Sequence, residues 1–294
     1  MVELVYKKHL YNKYEDSASV VLVCRACLCA CHIIPVNYLE GIIMKPVLHF
    51  QNYFAIEPVV TKAQREKSFF IRHQVYCREL GFEPYREGEP PRETDEYDDR
   101  SRHCLLIHKP SKRAIGSVRL ILADDNKPES PLPFERHCSA ALDKSFFDPD
   151  QFLPGQVAEF SRIAVLEEFR RREKHEANTN NMAPAIHDER RASAFPVIPI
   201  SLFLASLSML ENSEAEIGFA MMEPKLERLL RRYGIVFESA GDPVDYHGWR
   251  APYIIHRDNI GRHFKHGVGE IYFEVNRILC KTEEVFLNTG LSSA

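Results

Sequence analysis

The stretch Val157-Ala158-Glu159-Phe160-Ser161-Arg162-Ile163-Ala164-Val165 constrains the fold more than any other in the chain. Its ends are apolar and β-prone, so it reads as a buried strand, yet a carboxylate, a hydroxyl and a guanidinium interrupt its middle. An unpaired buried charge costs roughly several kcal/mol, so Glu159 and Arg162 require partners, a wet cleft, or each other. On a regular strand Glu159, Ser161 and Ile163 point one way and Phe160 and Arg162 the other, unless a bulge turns them. Two readings stay open on these residues alone: a structural Glu159–Arg162 ion pair at a strand end, or charged groups that serve a function in a wet cleft.

The flanking patterns are those of alternating strands and helices. A strand is expected over Tyr53 to Val60, then Thr61 as a helix cap and an amphipathic helix to Leu80, with Phe69, Phe70, His73, Tyr76, Cys77 and Leu80 at three- and four-residue spacing and Gly81 as its stop. Residues 83 to 100 are acid-rich, carry prolines and lack apolar periodicity, which reads as a solvated loop. Two strands follow, His103 to His108 and Ala114 to Ala123. In the second, Gly116, Val118, Leu120 and Leu122 share one face and Ser117, Arg119 and Ile121 the other. Beyond the opening stretch, residues 171 to 195 predict a mobile charged loop, 196 to 212 a buried helix, Ile217 to Met222 a strand, and Pro224 to Tyr233 a basic helix stopped by Gly234. Strands are expected at Ile235 to Glu238 and Tyr253 to His256, and a weak helix over 268 to 279. This order argues for a mixed α/β sheet covered on both faces.

The whole chain narrows the function classes. At 294 residues and a formal net charge of -4, with no long basic run, it is not a general nucleic-acid binder. No uninterrupted apolar run reaches 18 residues, so a membrane span is not expected, and any membrane association is expected to be peripheral, through the product. Scattered single cysteines suit a reduced, cytoplasmic location. The cluster Cys24, Cys27, Cys29 and Cys31 lacks a second separated ligand pair, so no metal is expected. Met44 precedes the first domain-like sequence. The expected organisation is therefore residues 1–43 as an extension outside the fold and 44–294 as one domain.

Arg72, Tyr76, Phe82, then Glu93-x-Asp95-x-x-Asp98, Arg119, Phe134 and Glu159-x-Ser161-Arg162 form an ordered series that resembles the signature of the acyl-homoserine-lactone (autoinducer) synthases and the related N-acyl amino acid synthases. Arg72 matches the arginine of their first helix, the acid triplet has their spacing, Arg119 matches the arginine of their "RL" strand, and Phe134 the phenylalanine after the next loop. Tyr76 stands where those synthases usually have Phe, and Phe82 where Trp is common. The later segments Met222-Glu223-Pro224 and Asp245 to Tyr253 are more similar to the acyltransferases associated with the PEP-CTERM/exosortase system.

The resemblance implies a GNAT-like three-layer α-β-α fold with a central mixed, splayed β-sheet. It implies an N-acyltransferase that joins a fatty acyl group to the amine of an amino acid or similar small molecule, with Glu159, Ser161 and Arg162 as catalytic residues. Arg72, Tyr76, Phe82, Glu93, Asp95, Asp98, Arg119 and Phe134 would line the substrate site. Such chemistry needs a base for the amine, and Glu159 is the first candidate. No tightly bound cofactor is expected. After the strand, where coenzyme-A enzymes carry a glycine-rich phosphate cradle, this chain has Phe169-Arg170-Arg171-Arg172-Glu173-Lys174. That substitution points to acyl carrier protein, bearing acyl-phosphopantetheine, as donor and partner, docked on Arg170, Arg171, Arg172 and Lys174. Two rival readings remain: an acyl-homoserine-lactone synthase using S-adenosylmethionine, and a non-catalytic acyltransferase-fold protein that binds a lipid or partner.

Overall fold

A computed structural model describes residues 19–21, 33–35, 45–85, 91–123, 127, 130–153, 155–170, 196–245, 248–265 and 267–289. The cysteine cluster and the whole of the 171–195 loop lie outside them. Strands β1 (Ser19–Val21) and β2 (Ile33–Pro35) form a small antiparallel pair. The main sheet begins after helix α1 (Lys45–Tyr53) with β3 (Phe54–Pro58), followed by helix α2 (Lys62–Arg72), β4 (Ser101–His108), β5 (Arg113–Ile121), helix α3 (Pro133–His137) and β6 (Val157–Val165). Then come α4 (Glu167–Arg170), α5 (Val197–Glu211), β7 (Ile217–Met222), α6 (Pro224–Arg232), β8 (Glu238–Ser239), β9 (Val244–Asp245), β10 (Trp249–His256) and α7 (Val268–Thr289). Strand order is β3-β4-β5-β6-β7-β10-β8, with β9 paired to β10. Pairing is antiparallel except between β6 and β7, so the expected mixed sheet is present.

Local chemistry explains the helices that cover it. Thr61 caps α2 through a capping box, its hydroxyl accepting from the Gln64 amide while the Gln64 side chain accepts from the Thr61 N–H. Beyond Arg72 the helix widens into a π-helical stretch, His73–Glu79, and Gly81 ends it at φ 63°. α2 packs on the polar face of β5, where Ser68 and Ser117 share a 2.6 Å hydrogen bond. α5 is apolar all round, as a helix enclosed on every side must be. It lies on the opposite face of the sheet, with α7 against it, and Leu202, Leu204, Leu207 and Leu210 are fully buried. Each such leucine contributes about 1.5–3 kcal/mol. The strand expected over Ile235 to Glu238 is displaced: only Glu238 and Ser239 pair with β10, while Ile235 and Phe237 are buried in the core as irregular chain.

Two irregularities shape the centre of the sheet. β6 and β7 pair only from Val157↔Ile217 to Glu159↔Phe219, although β6 runs on to Val165 and β7 to Met222. Parallel pairing therefore stops at Glu159 and the strands splay. Opposite β5, the register shifts between Ser117↔Ala164 and Arg119↔Ser161, so β6 carries an extra residue. Arg162 accommodates it at φ 52°, the left-handed region that a non-glycine residue adopts at a cost of roughly 1–3 kcal/mol.

Candidate active site

The bulge redirects Arg162. Regular alternation would set it on the face opposite Ser161; the extra residue turns its guanidinium toward the loop before β4. There Nη2 donates to Glu83 Oε1 (2.6 Å) and Glu93 Oε1 (3.1 Å) and lies 3.5 Å from Asp95 Oδ2. The Tyr76 hydroxyl, supplied by the π-helical stretch, donates to the Ile163 carbonyl (2.9 Å), and its ring lies 5.2 Å below the Arg162 guanidinium. The backbone N–H groups of Phe82 and Glu83 donate to the Tyr76 carbonyl (2.9 and 3.2 Å), so this turn is tied to the same residue.

The acid triplet is not the solvated loop that its composition suggests. Glu93 and Asp98 are buried and Asp95 is only partly exposed, because each faces arginines fixed on regular elements. Arg72, buried on α2, donates through Nε to Glu93 (2.5 Å) and through both terminal nitrogens to Asp98. Arg119, on β5, donates to Asp95 (2.6 and 2.8 Å), to Asp98 (2.8 Å) and to the Ser161 hydroxyl (3.2 Å). Burial alone would raise the carboxyl pKa values, but the neighbouring guanidiniums outweigh it: Glu93 and Asp95 are lowered, and Asp98 falls to about 2. Beneath them His103, directly opposite Arg119 in the β4–β5 register, is held neutral by burial and the Arg72 charge, with its pKa near 3. Such networks fix geometry more than they add stability.

Glu159 behaves in the opposite way. It does not pair with Arg162, contrary to the structural reading of the strand, because the bulge carries that guanidinium to Glu83 and Glu93. Among the described residues its one hydrogen bond comes from the Phe134 amide to Oε2 (2.9 Å). Around it stands an aromatic plug, with the Phe134 ring stacked on Phe219 at 3.8 Å and Phe147 behind, and all three rings are buried. Desolvation dominates over the Phe134 hydrogen bond and the Arg119 and Arg162 charges, raising its pKa to about 8. Glu159 thus stands at the last paired position of β6 and β7, where the splay begins, as a carboxyl poised near neutral pH.

The structure therefore brings together Arg72, Tyr76, Glu93, Asp95, Asp98, Arg119, Phe134, Glu159, Ser161 and Arg162. Phe82 joins through its turn. Of the residues expected to dock a carrier protein, Arg170 is described and forms an ion pair with Glu79; Arg171, Arg172 and Lys174 lie outside the described residues. Glu83, His103 and Arg250 belong to the site without having been singled out. Glu83 has no pattern signal beyond its place after Phe82, whereas His103 was accessible by pairing the two strands across their short turn. Arg250, on β10, lies 5.8 Å from the Phe82 ring centroid, a contact between distant parts of the chain.

Residues 71–178 match the acetyltransferase (GNAT) domain family. Among solved structures, the CoA-dependent acyl-homoserine lactone synthase BjaI, with MTA, is similar over 76% of this chain and 89% of its own, at 17% identity and a TM-score of 0.50. TofI, in a ternary complex with an inhibitor and MTA, is similar over 74% of this chain and 96% of its own, at 17% identity and a TM-score of 0.49. FeeM, an N-acyl amino acid synthase from uncultured soil microbes, is similar over 70% and 90%, at 13% identity and a TM-score of 0.45. No curated protein matches the sequence. At such identities the likeness to BjaI speaks to fold, and the splayed central sheet agrees with it.

Proposed function

We propose that this chain, whose residues 71–178 match the acetyltransferase (GNAT) domain family, transfers a fatty acyl group from an acyl carrier protein thioester to the amine of an amino acid or similar small molecule. The observation that carries this reading is the buried Glu159 carboxyl, raised to about 8, at the start of the splay between β6 and β7. An amine must lose a proton to become a nucleophile, and a base with a pKa near that range can take it without being ionised so readily that it holds none.

In this account Glu159 accepts the ammonium proton. The neutral amine nitrogen attacks the thioester carbonyl, the carbon–sulfur bond breaks, and the thiolate leaving on phosphopantetheine takes up the second N–H proton, which the nitrogen sheds as the amide forms, while the first passes from Glu159 to solvent. Backbone amides of β6 beyond Glu159, which have no β7 partner, are the candidate donors for the developing oxyanion. Ser161 is held by Arg119, and Arg162 by Glu83 and Glu93, so both are set to orient substrate groups while Glu159 handles the proton. Arg72, Arg119, Glu93, Asp95 and Asp98 keep that geometry. Tyr76 and Phe82 line the acceptor end, and Phe134 supplies the amide and the apolar cover for Glu159. The glycine-free segment from Phe169 to Lys174 favours a carrier protein over free coenzyme A as donor, with Arg170 to Arg172 and Lys174 as its docking surface.

The test follows carrier thiol and product mass with purified protein, acyl-loaded carrier protein and a panel of amines that includes amino acids and S-adenosylmethionine. Thiol release that depends on an amino acid supports the reading. Release only with S-adenosylmethionine replaces it by the lactone-synthase reading, and silence with every amine from folded protein moves it to the non-catalytic one.

A further inference from the structure

Four guanidiniums belong to the site, and three are matched by carboxylates. Arg72 faces Glu93 and Asp98, Arg119 faces Asp95 and Asp98, and Arg162 faces Glu83 and Glu93. Arg250 is the exception. It rises from β10 at the register position opposite Val244, half-buried, with its guanidinium 5.8 Å from the Phe82 ring centroid. Its Nε is buried without a hydrogen-bond partner, and no carboxylate among the described residues forms an ion pair with it. A guanidinium laid against an aromatic face is held in orientation, but its donor edge is not satisfied by that contact. Leaving such an edge unmatched inside a partly dry site is costly, and an anionic ligand removes the cost.

Its neighbourhood says where that ligand would sit. The Arg250 charge acts on the Tyr76 hydroxyl together with Arg162 and Arg72, and on the Cys138 thiol together with Glu159. Phe82, whose ring Arg250 faces, donates its N–H to the Tyr76 carbonyl, and the Tyr76 hydroxyl donates to the Ile163 carbonyl, so the cation is linked to the strand that carries the buried base. Glu83, which follows Phe82 on that turn, is already bonded to Arg162. Resting on the reading that the acceptor is an amine, we infer that Arg250 binds the carboxylate of the acceptor through its free guanidinium edge, with the α-amino group turned toward Glu159. The acceptor class this defines is an α-amino carboxylate rather than a plain amine. Arg250 then acts as a specificity-determining residue, and a planar two-pronged donor suits a carboxylate better than a lysine would.

The experiment compares the wild-type chain, Arg250→Gln and Arg250→Lys with lauroyl-loaded carrier protein, using the preferred amino acid and its carboxamide as acceptors. Wild type is expected to favour the amino acid. Arg250→Gln should raise its KM by about 10- to 100-fold while changing the KM for the carboxamide by about threefold or less, and Arg250→Lys should recover part of the loss. An Arg250→Gln protein that melts like wild type and keeps the wild-type preference for the amino acid overturns the inference. If wild type accepts only S-adenosylmethionine, the amino-acid reading fails, and the KM of the two proteins for that substrate still decides the contact. If no acceptor turns over, calorimetry with N-lauroylglycine and N-lauroylglycinamide decides it separately: tighter binding of the acid by wild type, lost in Arg250→Gln, supports the contact, and equal binding by both proteins overturns it.

Discussion

Burial sets the protonation of Glu159, and that has consequences for stability as well as for rate. In the unfolded chain the carboxyl ionises near 4.5; in the fold, desolvation raises its pKa to about 8. Between those values the unfolded state loses a proton that the folded state keeps, so this residue destabilises the fold increasingly as pH rises. Glu159→Gln retains an acceptor for the Phe134 amide without the charge. It should melt above wild type at pH 9, and the difference should close toward pH 5; a difference independent of pH would show that the carboxyl is not desolvated. Arg119 carries the opposite lesson. Removing it leaves Asp95 and Asp98 short of the guanidinium that neutralises them, so Arg119→Ala should lose about 3–5 kcal/mol along with activity. A variant that melts like wild type would refute the structural part of this role.

At the level of elements, the site depends on where β6 stops pairing with β7 and where it bulges against β5. Gly218 lies on β7 beside the last paired positions, and a methyl group there would sit 2.4 Å from the Phe160 ring and 2.7 Å from Leu210. Because Phe160 also packs edge-on against Phe237, the ring cannot simply step aside. Gly218→Ala should cost about 1–3 kcal/mol by overpacking and should lower activity more than that loss of folded protein explains, because it moves the strand that bounds the splay. Unchanged turnover per folded molecule would show that the splay tolerates the shift. Strand β6, the Thr61-capped helix after β3 and the apolar helix over 196 to 212 were all legible from periodicity, since burial writes a regular pattern into regular elements. The bulge was not. Nothing in Ser161-Arg162-Ile163 distinguishes a left-handed arginine from an extended one, and the turn toward Glu83 and Glu93 depends on the register with β5.

Across the whole molecule, the distribution of charge separates two kinds of carboxyl. Glu93, Asp95 and Asp98 are brought to arginines on α2, β5 and β6 and stay ionised, whereas burial among aromatic rings raises Glu159 to about 8, so that its proton-accepting carboxylate form grows as pH rises through that value. The acid triplet and the E-x-S-R motif were readable as an ordered resemblance, yet their roles were not separable in the linear sequence, where both are carboxylates near arginines. Loop composition over residues 83 to 100 misled in part for a related reason: Glu96 and Asp99 do face solvent, but Glu93, Asp95 and Asp98 belong to a largely buried ionic network. Arg250 escaped notice because its significance lies in a missing partner, which only the folded chain reveals. The measurement that tests the central claim most directly is the pH dependence of amine-dependent thiol release from acyl carrier protein, wild type against Glu159→Gln. The account predicts that wild-type kcat/KM rises through a pKa near 8 and that Glu159→Gln loses about 10²–10⁴-fold and that inflection. Wild-type activity retained in Glu159→Gln with the same pH profile would contradict it.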